Sequence, residues 1–394
     1  MRNVRSIAFV SAIMACGVLL TVSFMPAFAQ QTEAAKPPIK IGAIFAVTGS
    51  ASWLGEPEKN SAIMLVDEIN KAGGIQGRKI ELIVEDTEGN ETKAVNAVNK
   101  LITRDKVIAI IGPSRTGPTM AVIPIVERYK IPLLSCAAAA AITEPVKPFV
   151  FKTPQKDSDA AIRIFEHINT KGYKRIAIIT GTTSFGDQGR QQLKKLAPDY
   201  GLEIVADETY GPQDTDMTAQ LMKIKAANPE ALVNWSIVPG QSIIPKNMQQ
   251  LEIKIPLYQS HGFGNIRYLE AAGEAGEGLI FPAGRALAVD TVPDDHPQKK
   301  ILVQYKTKYE ERFKEPVSAF GGYAYDAMLI IAEALKRIEG EITAENLRDE
   351  IEKTRDFVGV TGIFNMTPED HTGLTKDSFE LLTIKGGKFV VLQE

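Results

Sequence analysis

Short apolar runs rich in β-branched residues alternate with longer amphipathic segments along most of the chain. Short apolar runs between polar or glycine-containing breaks are typical of buried strands, whereas apolar residues three and four positions apart indicate helices. In the segment 91–104 the second pattern gives one apolar stripe, formed by Ala94, Val95, Val98, Leu101 and Ile102. Such a stripe predicts a helix that packs one face against a sheet.

Two β/α series follow one another. The first predicts strands over residues 41–46, 80–85, 107–112 and 131–134, and helices over 56–71, 91–104 and from residue 119 onward. The second begins after Phe149-Val150-Phe151 and predicts strands over residues 175–180, 203–207, 231–235 and 255–258, and helices over 159–171, 188–200, 215–227 and 240–251. Strands that alternate with helices favour parallel sheets covered on both faces. We therefore predict an α/β fold of two doubly wound parallel-sheet lobes.

The C-terminal part departs from this alternation. Long helices are predicted over residues 296–313 and 320–338, and residues 379–392 predict a hairpin around Gly386-Gly387. The pattern leaves open which lobe these segments join.

Length and composition agree with a folded protein of two domains. The chain has 394 residues, of which 44% are hydrophobic and 24% are charged. This length exceeds that of one typical domain. The formal net charge of -3 provides no excess of basic side chains to neutralise a phosphate backbone, which argues against nucleic acid as a partner.

The N-terminus has the pattern of a secretory signal peptide. Arg2 and Arg5 precede an apolar run, and Ala27-Phe28-Ala29 places small residues where a signal peptidase recognises them. We therefore predict a signal peptide over residues 1–29 with cleavage after Ala29, a tether over residues 30–38 and a mature protein in the periplasm.

The two cysteines raise one alternative to this export route. The surroundings of Cys16 faintly resemble a lipoprotein site, whose cysteine would carry a membrane anchor. If cleavage follows Ala29 instead, Cys136 is the only cysteine left. The lobes must then be held by apolar burial without a disulfide.

Small and polar residues follow several predicted strands, where open α/β sheets bind their ligands. One strand leads into Pro113-Ser114-Arg115-Thr116-Gly117-Pro118 just before a helix. Backbone N–H groups and a hydroxyl there can meet an anion at the positive end of the helix dipole. The other strand ends of interest are Ser135-Cys136 with the alanines 137–141, residues 181–187, Trp235-Ser236 and His261-Gly262-Phe263-Gly264.

Signals of catalysis are missing from the sequence. It contains no Gly-x-Ser-x-Gly segment, and its histidines lie far apart without the spacing of metal ligands; they are His167, His261, His296 and His371. We therefore predict a binding protein rather than an enzyme, with no catalytic residue, no metal site and no cofactor.

Four segments, in their order along the chain, carry a resemblance to a known family: residues 39–42, 67–75, 111–113 and 320–327. With the signal peptide and the strand-end loops, they resemble the periplasmic leucine/isoleucine/valine-binding protein family, the amino-acid-binding components of bacterial ABC importers. The resemblance implies a type I periplasmic binding fold, a monomer whose lobes are joined by a three-strand hinge, close over a small solute and dock on a permease in the inner membrane. It further implies that residues 39–151 plus 282–360 form lobe 1 and that residues 152–281 plus 361–394 form lobe 2.

The resemblance also implies ligand-binding residues. Thr116 would bind a ligand carboxylate through its hydroxyl, Ala137 would bind it through its backbone, and Trp53 would pack on the ligand side chain. Trp235, at a later strand end, is a further candidate. Two alternatives stay open, because Thr116 could be an ordinary helix cap and Trp53 an ordinary core or loop aromatic.

Three positions depart from the pattern of amino-acid binders. Ala139 and Phe185 stand where those proteins carry a threonine and a tyrosine, and His261 stands where they carry an acid that neutralises the ligand ammonium. An unpaired ammonium in a closed cleft costs several kcal/mol. His261 could accept a hydrogen bond, bind a second anion if protonated, or make no ligand contact.

The ligand class therefore has two candidates. One is a branched-chain or other apolar amino acid, and the other is an amine-free aromatic or short aliphatic carboxylate. A sensory receptor of the same fold is the alternative to a transport protein.

Overall fold

The computed structural model of the protein describes residues 36–393. The expected signal peptide, its cleavage after Ala29, the alternative lipid attachment at Cys16 and residues 30–35 of the tether lie outside the described residues. No helix within the described range is long and apolar enough to cross a membrane.

The first β/α series forms a parallel sheet of five strands in the order β2-β1-β3-β4-β5. Its strands are β1 (Ile39–Phe45), β2 (Ile80–Asp86), β3 (Ile110–Ile111), β4 (Leu133–Ser135) and β5 (Val150–Lys152). Its helices are α1 (Ser52–Lys71), α2 (Glu91–Lys100) and α3 (Thr116–Tyr129). A wider π-helical turn, Leu101–Asp105, extends α2 over the end of the predicted helix.

The rest of the chain builds a second sheet and its covering helices. The remaining strands are β6 (Arg175–Gly181), β7 (Glu203–Tyr210), β8 (Ala231–Trp235), β9 (Leu257–Gln259), β10 (Ile280–Ala283), β11 (Phe357–Val358), β12 (Ile363–Phe364), β13 (Glu380–Lys385) and β14 (Lys388–Val391). The remaining helices are α4 (Asp157–Thr170), α5 (Ser184–Leu196), α6 (Thr218–Ala226), α7 (Ile244–Gln250), α8 (Ile266–Ala272), α9 (Lys299–Phe313), α10 (Ala319–Arg337) and α11 (Ala344–Glu352).

The second sheet is mixed rather than purely parallel. Its order is β14-β13-β10-β9-β8-β6-β7, and β13 pairs antiparallel with β10 and β14. The hairpin that the sequence predicts over residues 379–392 is thus present, and it extends the edge of this sheet. The pair β11 and β12 forms a small separate ribbon.

Three chain segments connect the two sheets, as the predicted three-strand hinge requires. The chain leaves the first sheet after β5, returns after β10 so that α10 packs along α1, and crosses again before β13. The fully buried carboxylate of Asp326 in α10 accepts the backbone N–H groups of Val360 (2.7 Å) and Thr361 (2.6 Å) next to the third crossing. The sheets with their helices are the two predicted lobes.

The residue bounds expected for the lobes stay a prediction, and one contact bears on them. His371, expected in lobe 2, lies against β5 of the first sheet. Its ring stacks on Phe151 with 4.1 Å between centroids, and its Nδ1 lies 2.9 Å from the Val150 carbonyl oxygen.

Several helices begin earlier than the apolar pattern predicts. The observed starts are Ser52 rather than residue 56, Thr116 rather than residue 119, and Ser184 rather than residue 188. In α5 the side chain of Thr183 caps the helix by accepting the Gly186 N–H at 3.4 Å. These first turns follow strand ends instead of covering the sheet, so they lack the apolar spacing on which the prediction depended.

Gly186 allows the first turn of α5 to lie against the end of β6. A Cβ atom at this position would be 1.7 Å from the carbonyl oxygen of Gly181. We predict that Gly186→Ala lowers the free energy of unfolding by about 1–3 kcal/mol or more, because the backbone must shift. Gly284→Ala is the control, since Gly284 has a φ of -68° and a Cβ there would meet its nearest atom at 3.4 Å. Urea denaturation would measure both variants, and equal losses would contradict the prediction.

Candidate functional site

A small cavity of about 20 Å³ lies where the carboxyl ends of the two sheets face each other. Loops after β3, β4, β6, β8 and β9 contribute to its walls, together with α1 and α10. The lining residues are Leu54, Ser114, Arg115, Thr116, Cys136, Ala137, Ala138, Phe185, Ile237, His261, Gly262, Phe320 and Tyr323. This is the place where parallel α/β sheets bind ligands, and the two walls must move apart to admit a small molecule.

A larger and more polar vestibule of about 420 Å³ adjoins this inner cavity. The two share Arg115, Thr116, Phe185 and Ile237 as walls. The other vestibule residues are Glu88, Gly89, Asn90, Glu91, Gly117, Pro118, Thr182, Thr183, Ser184 and Asp187. Carboxylates therefore lie in the vestibule, whereas the lining of the inner cavity, taken over the described residues, includes none.

Thr116 is the first residue of α3 and lies at the junction of cavity and vestibule. Its side chain is 2% exposed, and its Oγ1 has no hydrogen-bond partner within residues 36–393. The residue before the helix is Arg115, which makes no side-chain capping bond. Thr116 is therefore not the helix cap that the sequence left as an alternative.

Arg115 is the cation of the site, and the sequence analysis did not single it out as a ligand contact. Burial lowers the pKa of its guanidinium, and the nearby charge of Glu91 partly opposes this shift. Its position between Ser114 and Thr116, in the loop before α3, was the available signal.

The alanines after β4 have different positions. Ala137 and Ala138 line the cavity, and the Ala137 N–H donates to Ser135 Oγ at 3.1 Å. Ala139 is fully buried in the apolar cluster with Val122 and Ile142 and does not line the cavity.

His261 lies in the wall from the second sheet, in a short turn, His261–Phe263, after β9. It is 3% exposed, and neither ring nitrogen has a hydrogen-bond partner in the described part of the chain. The ring centroids of Phe185, Trp235 and Phe379 lie 5.3, 5.6 and 5.6 Å from that of His261. Burial, with a smaller contribution from the charge of Lys152, lowers the pKa of His261 to about 3.

Two predicted aromatics lie next to the cavity without lining it. Trp235 is fully buried behind His261 and Phe185, its centroid 5.9 Å from that of Phe185. Trp53 is half-buried in the first turn of α1. Its ring makes a T-shaped contact with that of Tyr268, with 5.1 Å between the ring centroids. The structure thus brings Thr116, Ala137, Phe185 and His261 together at the cavity and leaves Trp53, Ala139 and Trp235 outside its lining.

Two buried ionisable groups, Lys152 and Glu58, lie beneath the cavity. The Lys152 ammonium donates to the carbonyl oxygens of Ala138 (2.8 Å), Pro154 (3.2 Å) and Gln155 (3.1 Å), and burial lowers its pKa to about 8. Ser114 Oγ donates to Glu58, whose pKa burial raises well above its ordinary value. Lys152 therefore adds positive potential near the cavity, while Glu58 favours its neutral form.

Polar contacts join the two walls of the crevice. Arg267 of α8 pairs with Glu56 of α1 (3.0 Å) and with Glu315 (2.9 Å). Asn265 Nδ2 donates to the Trp53 carbonyl oxygen at 2.7 Å. These contacts hold the second sheet's loops against the start of α1.

A profile of the periplasmic binding protein family matches residues 38–388, most of the described structure. The chain belongs to this family. The leucine-, isoleucine-, valine-, threonine- and alanine-binding protein of Pseudomonas aeruginosa is 25% identical to this periplasmic binding protein over 79% of the chain and 82% of the relative. The resemblance to the leucine/isoleucine/valine-binding proteins is thereby confirmed.

Solved structures show the same fold. An extracellular ligand-binding receptor from Rhodopseudomonas palustris HaA2 superposes with a TM-score of 0.84 at 28% identity, covering 90% of this chain and 99% of the receptor. The branched-chain amino acid transporter substrate-binding protein of Streptococcus pneumoniae, solved with isoleucine, superposes with a TM-score of 0.80 at 27% identity. The match covers 91% of this chain and 100% of that protein. This periplasmic binding protein is therefore a transporter substrate-binding protein or a ligand-binding receptor.

Metal binding finds no support in the described residues. Between residues 36 and 393 no group of three or more His, Cys, Asp and Glu side chains is arranged to hold a metal ion. Cys136 is free and buried, and burial raises the pKa of its thiol.

The buried imidazole of His261 predicts a dependence of stability on pH. Its pKa is about 3 in the folded protein, against an ordinary 6.5. As the pH falls below 6.5, the unfolded chain binds a proton that folded His261 does not, so this residue lowers stability below pH 6.5 and has no such effect above it. Between pH 7 and pH 5 this contribution is about 2 kcal/mol.

We expect the free energy of unfolding to fall less in His261→Phe than in the wild type between pH 7 and pH 5. Urea denaturation at each pH would measure it. Asp159 and Asp326, whose pKa values burial raises to about 6, act in the opposite direction but are present in both proteins. An equal change in the free energy of unfolding with pH in both proteins would contradict a lowered pKa of His261.

Proposed function

We propose that this protein captures a small carboxylate-bearing solute in the inner cavity and, acting as a monomer, delivers it to an ABC permease in the inner membrane. No covalent chemistry is involved. The observation that carries the proposal is the start of α3, where an unpartnered buried hydroxyl and a partly buried guanidinium border the same cavity.

The carboxylate has a set of complementary groups at this end of the cavity. Thr116 Oγ1 can donate to it, the first N–H groups of α3 carry the positive end of the helix dipole, and Arg115 supplies a full charge. Lys152 lies close beneath Ala138 and adds a second positive charge near the cavity. Its hydrogen bonds go to backbone carbonyl oxygens.

The rest of the cavity suits an apolar ligand body. Leu54, Phe320 and Tyr323 enter from the first lobe's helices, and Phe185 and Ile237 from loops of the second sheet. A ligand held by both walls favours the closed arrangement, which is how binding shifts the population of a hinged protein. The Arg267 pairs with Glu56 and Glu315 support the same closed arrangement.

Two ligand classes fit these contacts. The names of the relatives favour a branched-chain or other apolar amino acid. The lining favours an amine-free aromatic or short aliphatic carboxylate, because within the described residues it carries the positive charge of Arg115 and no carboxylate that could pair with an ammonium. A sensory role is the alternative to transport, since one similar structure is a ligand-binding receptor.

Matched ligands can separate the two classes. We predict that 4-methylpentanoate and 3-methylbutanoate raise the melting temperature more than leucine and valine, which differ from them only by the amine. A ligand at about a hundred times its Kd adds about 2.7 kcal/mol to stability. Larger shifts with leucine and valine would assign the amino-acid class. Mass spectrometry of the ligand released from freshly purified protein would identify the natural solute directly.

Thr116→Val tests the carboxylate anchor, because it removes the hydroxyl and keeps the shape of the side chain. We expect affinity for the best carboxylate ligand to fall by about 1–3 kcal/mol, the value of a charge-assisted hydrogen bond. Calorimetric titration would measure this. Thr182→Val, on the vestibule wall, is the matched control. Unchanged affinity in Thr116→Val would remove this residue from the site.

A further inference from the structure

His261 is a polar group placed in an otherwise apolar part of the cavity. It belongs to the wall from the second sheet, whereas Thr116 and Arg115 belong to the wall from the first sheet. A ligand whose carboxylate lies against α3 can therefore reach His261 with its other end.

The orientation of the imidazole is fixed by packing. Phe185, Trp235 and Phe379 contact it, with ring planes inclined by 77°, 79° and 57° to its own. Hydrogen bonds do not contribute to this orientation, because both ring nitrogens are unpartnered in the part of the chain that the structure describes. Packing thus holds the ring ready for a partner that the protein does not supply.

A neutral imidazole has one N–H donor and one acceptor nitrogen. Burial strongly favours this neutral form, so the ring does not offer a positive charge to a second anion. A buried donor or acceptor without a partner costs free energy that a correctly placed ligand group recovers. A hydroxyl can pair with either ring nitrogen, because it can donate to the acceptor nitrogen or accept from the N–H donor.

We propose that the ligand is a carboxylic acid that also carries an uncharged hydroxyl at the end remote from its carboxylate, and that this hydroxyl pairs with His261. This inference rests on the proposed function, since it assumes that the carboxylate is bound at α3. It makes His261 a specificity-determining residue of the same cavity.

The test compares ligands that differ only by a hydroxyl and a methyl group. The probes are 4-hydroxybenzoate against 4-methylbenzoate, and 3-hydroxy-3-methylbutanoate against 3,3-dimethylbutanoate. Calorimetric titration of the mature protein should show at least about fivefold tighter binding of the hydroxylated member in one of the pairs. In His261→Phe this preference should fall below about twofold, with the affinity for the methyl member little changed.

His261→Gln is the conservative variant, because its amide keeps one donor and one acceptor. It should restore part of the preference that His261→Phe loses. Equal binding within both pairs in the wild type, or an undiminished preference in His261→Phe, would overturn the inference while leaving the carboxylate site intact. Failure of all four acids to bind, while leucine or valine binds, would overturn the inference alone. Failure of leucine and valine as well would overturn the proposed function itself.

Discussion

The structure depends on one geometric constraint, the meeting of the carboxyl ends of two largely parallel sheets across a single crevice. In each sheet the strands end at the same edge and the following helices begin there, so their positive ends converge. Most of the polar side chains that line the crevice, among them Ser114, Thr116 and His261, are buried there. Any polar atom there must find a partner in the protein or in a ligand.

Buried polar groups meet this requirement to different extents. Lys152 is fully buried, yet the carbonyl oxygens of Ala138, Pro154 and Gln155 accept hydrogen bonds from its ammonium. Thr116 and His261 are equally hidden but have unpartnered atoms, and both line the cavity. Lys152 contributes positive charge near the cavity, whereas the unpartnered atoms of Thr116 and His261 are the groups that we propose for the solute. No carboxylate is among the described residues that line the cavity.

The alternation of apolar runs and amphipathic helices was enough to predict two α/β lobes and the C-terminal hairpin. Burial on one face imposes a regular spacing on strands and helices, and that spacing is visible in the sequence. The first turns of α1, α3 and α5 were missed for the same reason. Their residues face the crevice, as Thr116 and Phe185 do, and so carry no periodic apolar signal.

The sequence by itself determined the fold class and the strand-end loops that line the cavity, including those of Thr116 and His261. Only the tertiary structure decided that Arg115 borders the cavity, that Ala138 rather than Ala139 lines it, and that Trp235 lies behind it. In an irregular loop, the direction of a side chain depends on the local backbone and not on a repeating spacing. The remaining walls, such as Phe320, come from segments distant in the chain, and the packing of α10 against α1 brings them to the site.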